Sequence, residues 1–108
     1  MPRVHRPSPA VKRALLALGA DLRDARLRQR LTAAVVAQRA FTSRPSLRRI
    51  EAGDTAVSMG IYAAVMQALG LLDRLGELAA PDHHDARQDA ESLPQRVRTR
   101  RRARVPAQ

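Results

Sequence analysis

Thr32–Glu51 reads TAAVVAQRAFTSRPSLRRIE. Thr32 suits a helix N-cap, and the small residues Ala33 to Arg39 follow it as a short helix. A break comes at Ala40-Phe41-Thr42. Ser43 is a second N-cap, and Arg44-Pro45-Ser46-Leu47-Arg48-Arg49-Ile50-Glu51 reads as a second short helix. A Ser or Thr at this position accepts a hydrogen bond from an otherwise orphaned amide of the first turn. Pro45 falls in that turn, where its missing N–H costs little. Val36, Ala37, Ala40, Leu47 and Ile50 supply apolar contacts where the two helices cross. Two short helices joined by a tight break are the signature of a helix-turn-helix.

The ordered marks Leu31-Thr32, Val36-Ala37, Arg39-Ala40, Ser43, Leu47, Arg49-Ile50-Glu51, Gly53 and Ala68-Leu69-Gly70 resemble the phage repressor and Cro type of this motif, the Xre family. The resemblance runs from about Leu18 to Leu78, a little over half of the chain. It implies an all-α fold, a compact five-helix, phage-repressor-like helix-turn-helix domain, to which the charge distribution below adds basic flexible N- and C-terminal arms. It implies that Ser43, Arg44, Pro45, Ser46, Arg48 and Arg49 belong to the recognition helix. It implies an internal ion pair between Arg26 and Glu51. Two positions depart from the family. Ala33 stands where the family often has a phosphate-touching Gln. Phe41 stands in the turn where the family usually has Gly, and a positive φ is unusual for a bulky residue.

Length and composition agree with one small domain plus tails. The chain has 108 residues, no cysteine, and only Phe41 and Tyr62 as aromatics. That excludes disulfides and thiolate metal sites. A core of Leu, Val, Ile and Ala suits packed helices. No apolar run approaches the length of about 20 residues that spans a membrane. Charges run through the first 30 residues, so no secretory apolar region is read there. A cytoplasmic, bacterial, nucleoid-associated protein is expected.

The net charge of +10, from 20 Lys and Arg against 10 acids, points to a polyanionic partner. Its distribution is uneven. Residues 1–30 carry +6, residues 31–80 carry +1 and residues 81–108 carry +3. The charge flanks the expected domain, residues 8–80, as an arm (1–7) and a polar linker with an Arg-rich tail (81–108).

Ser8-Pro9 marks a helix start. Val11, Leu15, Leu18, Leu22 and Ala25 then recur at spacings of three and four, one face of a helix reaching about Arg30. Gly19 interrupts it, as a kink or a close approach. Arg23, Arg28 and Arg30 lie near its end and complement the helix dipole. Arg26 follows the apolar stripe instead, so it needs a partner. Gly53 is a C-cap candidate, and Ser58 caps a further helix carrying Ile61, Tyr62, Val65, Met66 and Leu69 up to Gly70. Leu71, Leu72, Leu75, Leu78 and Ala79 form a last helix stopped by Pro81. These leucines either close the core or form a partner surface.

The end of the chain holds Arg96, Arg98, Arg100, Arg101, Arg102 and Arg104 with no acid among them. Such a tail is expected to be disordered alone and to contact nucleic acid, each phosphate contact releasing counterions. Its alternation with Val97 and Thr99 also fits a short strand formed on assembly. The bland alternative is a solubilising tail. Asp82-His83-His84-Asp85 reads as a polar linker and not as a metal site. No cofactor is expected, and no catalytic arrangement stands out.

The expected function is therefore a sequence-specific DNA-binding transcriptional regulator, a repressor acting as a homodimer on double-stranded DNA. Arg44 and Arg48 share a helix face with Arg49 beside them, and arginine forks onto guanine O6 and N7. Ser43, Ser46 and Thr32 suit phosphate. The leucine-rich Ala68 to Ala79, a polar spacer and Leu93-Pro94-Gln95-Arg96-Val97-Arg98 also resemble antitoxins of the HipB type. That resemblance implies a type II toxin–antitoxin pair, an autoregulated operon and a HipA-like kinase toxin as partner. A different alternative is a nonspecific nucleic-acid binder acting through its basic arms.

Overall fold

A computed structural model describes residues 5–82, 92–97 and 99. Among them the chain is all-helical: α1 (Pro9–Arg28), α2 (Ala33–Arg39), α3 (Arg44–Glu51), α4 (Met59–Ala68) and α5 (Leu72–Gly76). The chain divides into two units, Met1–Leu78 and Ala79–Gln108. None of the described helices is long and apolar enough to cross a membrane.

The first four helices are punctuated in the same way at both ends. Ser8, Thr32, Ser43 and Ser58 each accept, on the side-chain oxygen, the N–H of the residue three further on. At the other end each helix closes in a C-terminal hook, with the N–H two residues past the cap bonding back into the last turn. Leu31 N–H reaches Arg26 O at 3.1 Å, Thr42 reaches Ala37 O at 2.9 Å, Asp54 reaches Arg49 O at 2.9 Å and Leu71 reaches Met66 O at 2.8 Å. The hook needs a left-handed residue just past the cap. Gly53 (φ 74) and Gly70 (φ 76) fill two of these positions; Arg30 (φ 58) and Phe41 (φ 53) fill the others.

Phe41 therefore performs the glycine's role in the turn between α2 and α3. The family's turn survives the substitution, but the L side chain carries strain. The ring repays nothing by burial, being 97% exposed. Phe41→Gly is expected to raise stability by about 0.5–1 kcal/mol, because relief of the left-handed strain exceeds the added entropy of an unfolded glycine. Thermal melting followed by circular dichroism checks this. A lower Tm would show that the exposed ring holds the turn.

The core lies where α1 to α4 meet. Leu22, Val36, Ala37, Ala40, Leu47, Ile50, Tyr62, Val65, Met66 and Leu69 are buried, with Leu18, Ala25, Leu31, Leu71 and Leu75 packed against them. The expected stripe on α1 is corrected at its start, since Val11 is exposed. The first turn of α1 lies beyond the reach of the core. The last helix is also shorter than the leucine spacing implied. It spans Leu72–Gly76, with Leu75 against the core and Leu78 exposed.

Gly19 settles the question its position raised. A Cβ there would lie 2.5 Å from Ile50 O, 2.7 Å from Gly53 N and 2.8 Å from Glu51 O. A Cβ on Gly53 would lie 2.6 Å from both Leu15 O and Leu16 Cα. The backbone of α1 and the end of α3 thus touch directly, which only two glycines allow. Beyond that crossing, Gln29 Nε2 donates to Leu69 O at 2.9 Å and ties the end of α1 to the end of α4. Tyr62 Oη donates to Asp54 O at 2.7 Å and anchors the α3–α4 loop to α4. Burial raises the Tyr62 phenol pKa, and the charge of Asp54 raises it further.

In the second unit, Leu93, Val97 and Arg96 are exposed. His83, His84, Arg98, Arg100, Arg101, Arg102 and Arg104 lie outside the described residues, so the linker and most of the tail expectations do too. No strand occurs among the described residues.

Candidate nucleic-acid interface

The short helix α3 has two faces because apolar residues recur at three-residue spacing. Leu47 and Ile50 are buried, while Arg44, Pro45, Arg48 and Arg49 face solvent. Ser43 and Ser46 begin the helix together. Ser43 Oγ accepts the Ser46 N–H at 3.1 Å and donates to Ser46 Oγ at 3.0 Å. The pair of hydroxyls uses one proton between them and leaves the other free to meet a further acceptor. At the start of α2, Thr32 Oγ1 accepts the Val35 N–H at 3.2 Å and likewise keeps its own proton available.

Arg26 fixes this arrangement from below. Its Nε donates to Glu51 Oε2 at 2.7 Å and its Nη2 to Glu51 Oε1 at 3.1 Å. Its Nη1 donates to Leu31 O at 3.1 Å. One guanidinium thereby joins α1, the segment leading into α2, and the last residue of α3. Both side chains are only 12% exposed, so the fork–fork pair is shielded from water. Its hydrogen bonds to Glu51 raise the Arg26 pKa above its ordinary value, with the carboxylate charge adding to them and burial opposing.

Arg44 and Arg48 open onto a cleft of about 600 Å³ together with Thr32, Ala33 and Ala34. Arg49 is exposed but does not line it. The cleft has a further cation. Arg23, read in the sequence as a complement to the helix dipole, reaches it from α1. No sequence signal identifies Arg23 for this place, because the cleft exists only once three helices converge. Leu47 and the Arg26–Glu51 pair line the same cleft. Among the described residues, Arg26–Glu51 is the only ion pair, so no described acid pairs with Arg23, Arg44 or Arg48.

A family model described as a helix-turn-helix domain matches residues 17–79. The chain belongs to this helix-turn-helix family. The match covers the latter part of α1 and all of α2 to α5, and it supports the Xre-like regulator class that the sequence marks implied. As a member of that family the chain is a DNA-binding regulator. No curated protein and no solved structure matched the chain.

Proposed function

We propose that the protein is a sequence-specific transcriptional repressor that reads a G-containing operator through α3, acting as a homodimer. The observation that carries this reading is the solvent face of α3. Arg44, Arg48 and Arg49 stand there without an acid partner among the described residues, on a helix fixed by Leu47, Ile50 and the Arg26–Glu51 pair. Arginine on the exposed face of such a helix suits bidentate contact with guanine. The Ser43–Ser46 hydroxyl pair and Thr32 flank that face with hydroxyl protons to spare and suit phosphate. The proposed role is binding, not catalysis, and it needs no cofactor.

Selection from a genomic fragment library, followed by sequencing, tests the reading. The expected result is a palindromic, G-containing motif bound by two chains. Arg44→Ala and Arg49→Ala are expected to lose about 1–3 kcal/mol of discrimination at the guanine each one reads, with the fold intact. Unchanged base preference in both variants would remove α3 as the reader. Retention of DNA without any motif, lost as salt rises, would leave the basic arms as the binding element.

A second reading keeps this domain and adds a protein partner. It is supported by an apolar cleft lined by residues of α1, the α3–α4 loop, α4 and the end of the first unit, including Leu15, Val57, Met59, Met66 and Leu78. In this reading the protein is an antitoxin that autoregulates its operon, and a HipA-like kinase is its toxin. Co-purification of a kinase with the chain from its own cells would carry this reading. A solitary gene and a lone homodimer would reject it.

A further inference from the structure

Arg23 is exposed on α1, one turn before Arg26. Its helical neighbours at three and four residues are Gly19, Ala20, Arg26 and Leu27, so no acid shares its face. It opens instead onto the cleft shared with Arg44, Arg48 and Thr32. The only carboxylate lining that cleft, Glu51, is engaged on both oxygens by Arg26. Beside the self-paired Arg26 and Glu51, three guanidinium groups therefore face one concavity with no unengaged carboxylate among its described lining residues. A concentration of like charge in a walled cleft favours a multiply oxygenated anion. Phosphate is such an anion, and guanidinium binds it through a two-pronged fork.

The start of α2 explains why this matters. Ala33 lines the cleft but has no polar atom with which to reach a phosphate. The arginine contributed by α1 lines the same cleft. We infer that Arg23 clamps a DNA backbone phosphate at the α2 edge of the interface, in place of a side-chain contact from Ala33. Arg44 and Arg48 belong to α3, the helix proposed to read bases, while Arg23, contributed by α1, sets register and not base choice. This assignment rests on the DNA-binding reading given above.

The test uses the full chain and the duplex that the wild-type protein selects from a random pool. Affinity is measured across a series of salt concentrations. Arg23→Ala is expected to weaken binding about tenfold, the scale of one lost charge-assisted hydrogen bond. Its log–log salt slope is expected to fall by about 0.9, the value for one released phosphate contact, with the selected motif unchanged. Arg28→Ala removes an equal charge from the same helix outside the cleft and is expected to leave the slope near wild type. Arg23→Gln repeats the test with a longer side chain, and thermal melting confirms the fold of each variant. An unchanged slope in both Arg23 variants overturns the clamp while the DNA reading stands. An equal fall in Arg28→Ala overturns it as general charge, and an altered motif overturns it as base reading. Failure of the wild-type protein to select any motif overturns the DNA reading and the clamp with it.

Discussion

Gly53→Ala is expected to cost about 4 kcal/mol. Two penalties add. The left-handed conformation costs an L residue about 1–2 kcal/mol. The new Cβ would also stand 2.6 Å from Leu15 O and Leu16 Cα, and backbone cannot rotate out of the way. Overpacking of that kind costs about 1–3 kcal/mol. Gly19→Ala meets the same crossing from the other side, without the φ penalty, and is expected to cost about 3 kcal/mol. Small domains hold only about 5–15 kcal/mol in total, so either variant should be largely unfolded under mild denaturant. Urea titration by circular dichroism reads the loss. Gly60→Ala is the control, because its Cβ would meet nothing closer than Ser58 Oγ at 3.9 Å. In α4 that change should be neutral or slightly stabilising. The double variant should lose less than the two single losses together, since both report one contact. Near-wild-type stability in both single variants would mean that α1 does not cross the end of α3 this closely.

Glu51→Ala is expected to cost about 3 kcal/mol. The loss comes mainly from the group left behind. Arg26 would keep its charge in a shielded site with only Leu31 O as a partner. Arg26→Met/Glu51→Leu should recover much of the loss, because an apolar pair of similar volume carries no unpaired charge. The same variants separate structure from binding. Glu51→Ala loosens α3 against α1 and should weaken DNA affinity, yet it removes no phosphate contact and should leave the salt slope unchanged. A loss below about 0.5 kcal/mol would place the pair among solvated surface bridges.

How much of this was legible in the sequence depended on how local each cause is. The caps at Ser8, Thr32, Ser43 and Ser58 could be read directly, because a hydroxyl and the amide three residues on belong to one turn. Gly53 and Gly70 could be read as helix ends for the same reason. Arg30 and Phe41 take the same left-handed position without glycine, and no residue type announces that. Gly19 left two readings open, since its role depends on what crosses it, and Ile50 lies 31 residues away in sequence. The Arg26–Glu51 pair came from family resemblance, as a separation of 25 residues carries no periodic signal. Leucine spacing overran α5 because a helix and a following turn present apolar residues at similar intervals. Arg23 was invisible as a lining residue of the cleft for a related reason: that cleft is made by three helices, none of which encodes it alone.

Tyr62 gives the molecule an optical property. It is the only tyrosine in a chain without tryptophan. Nearly all of the protein's near-ultraviolet absorbance and intrinsic emission therefore arises from one ring. That ring is buried on the core face of α4 and its hydroxyl donates to the Asp54 carbonyl at 2.7 Å. A change in its spectrum reports on one place, where α4 is tied to the loop that follows α3. The signal is weak in intensity but free of averaging over several chromophores, so unfolding can be followed at one known place without a label.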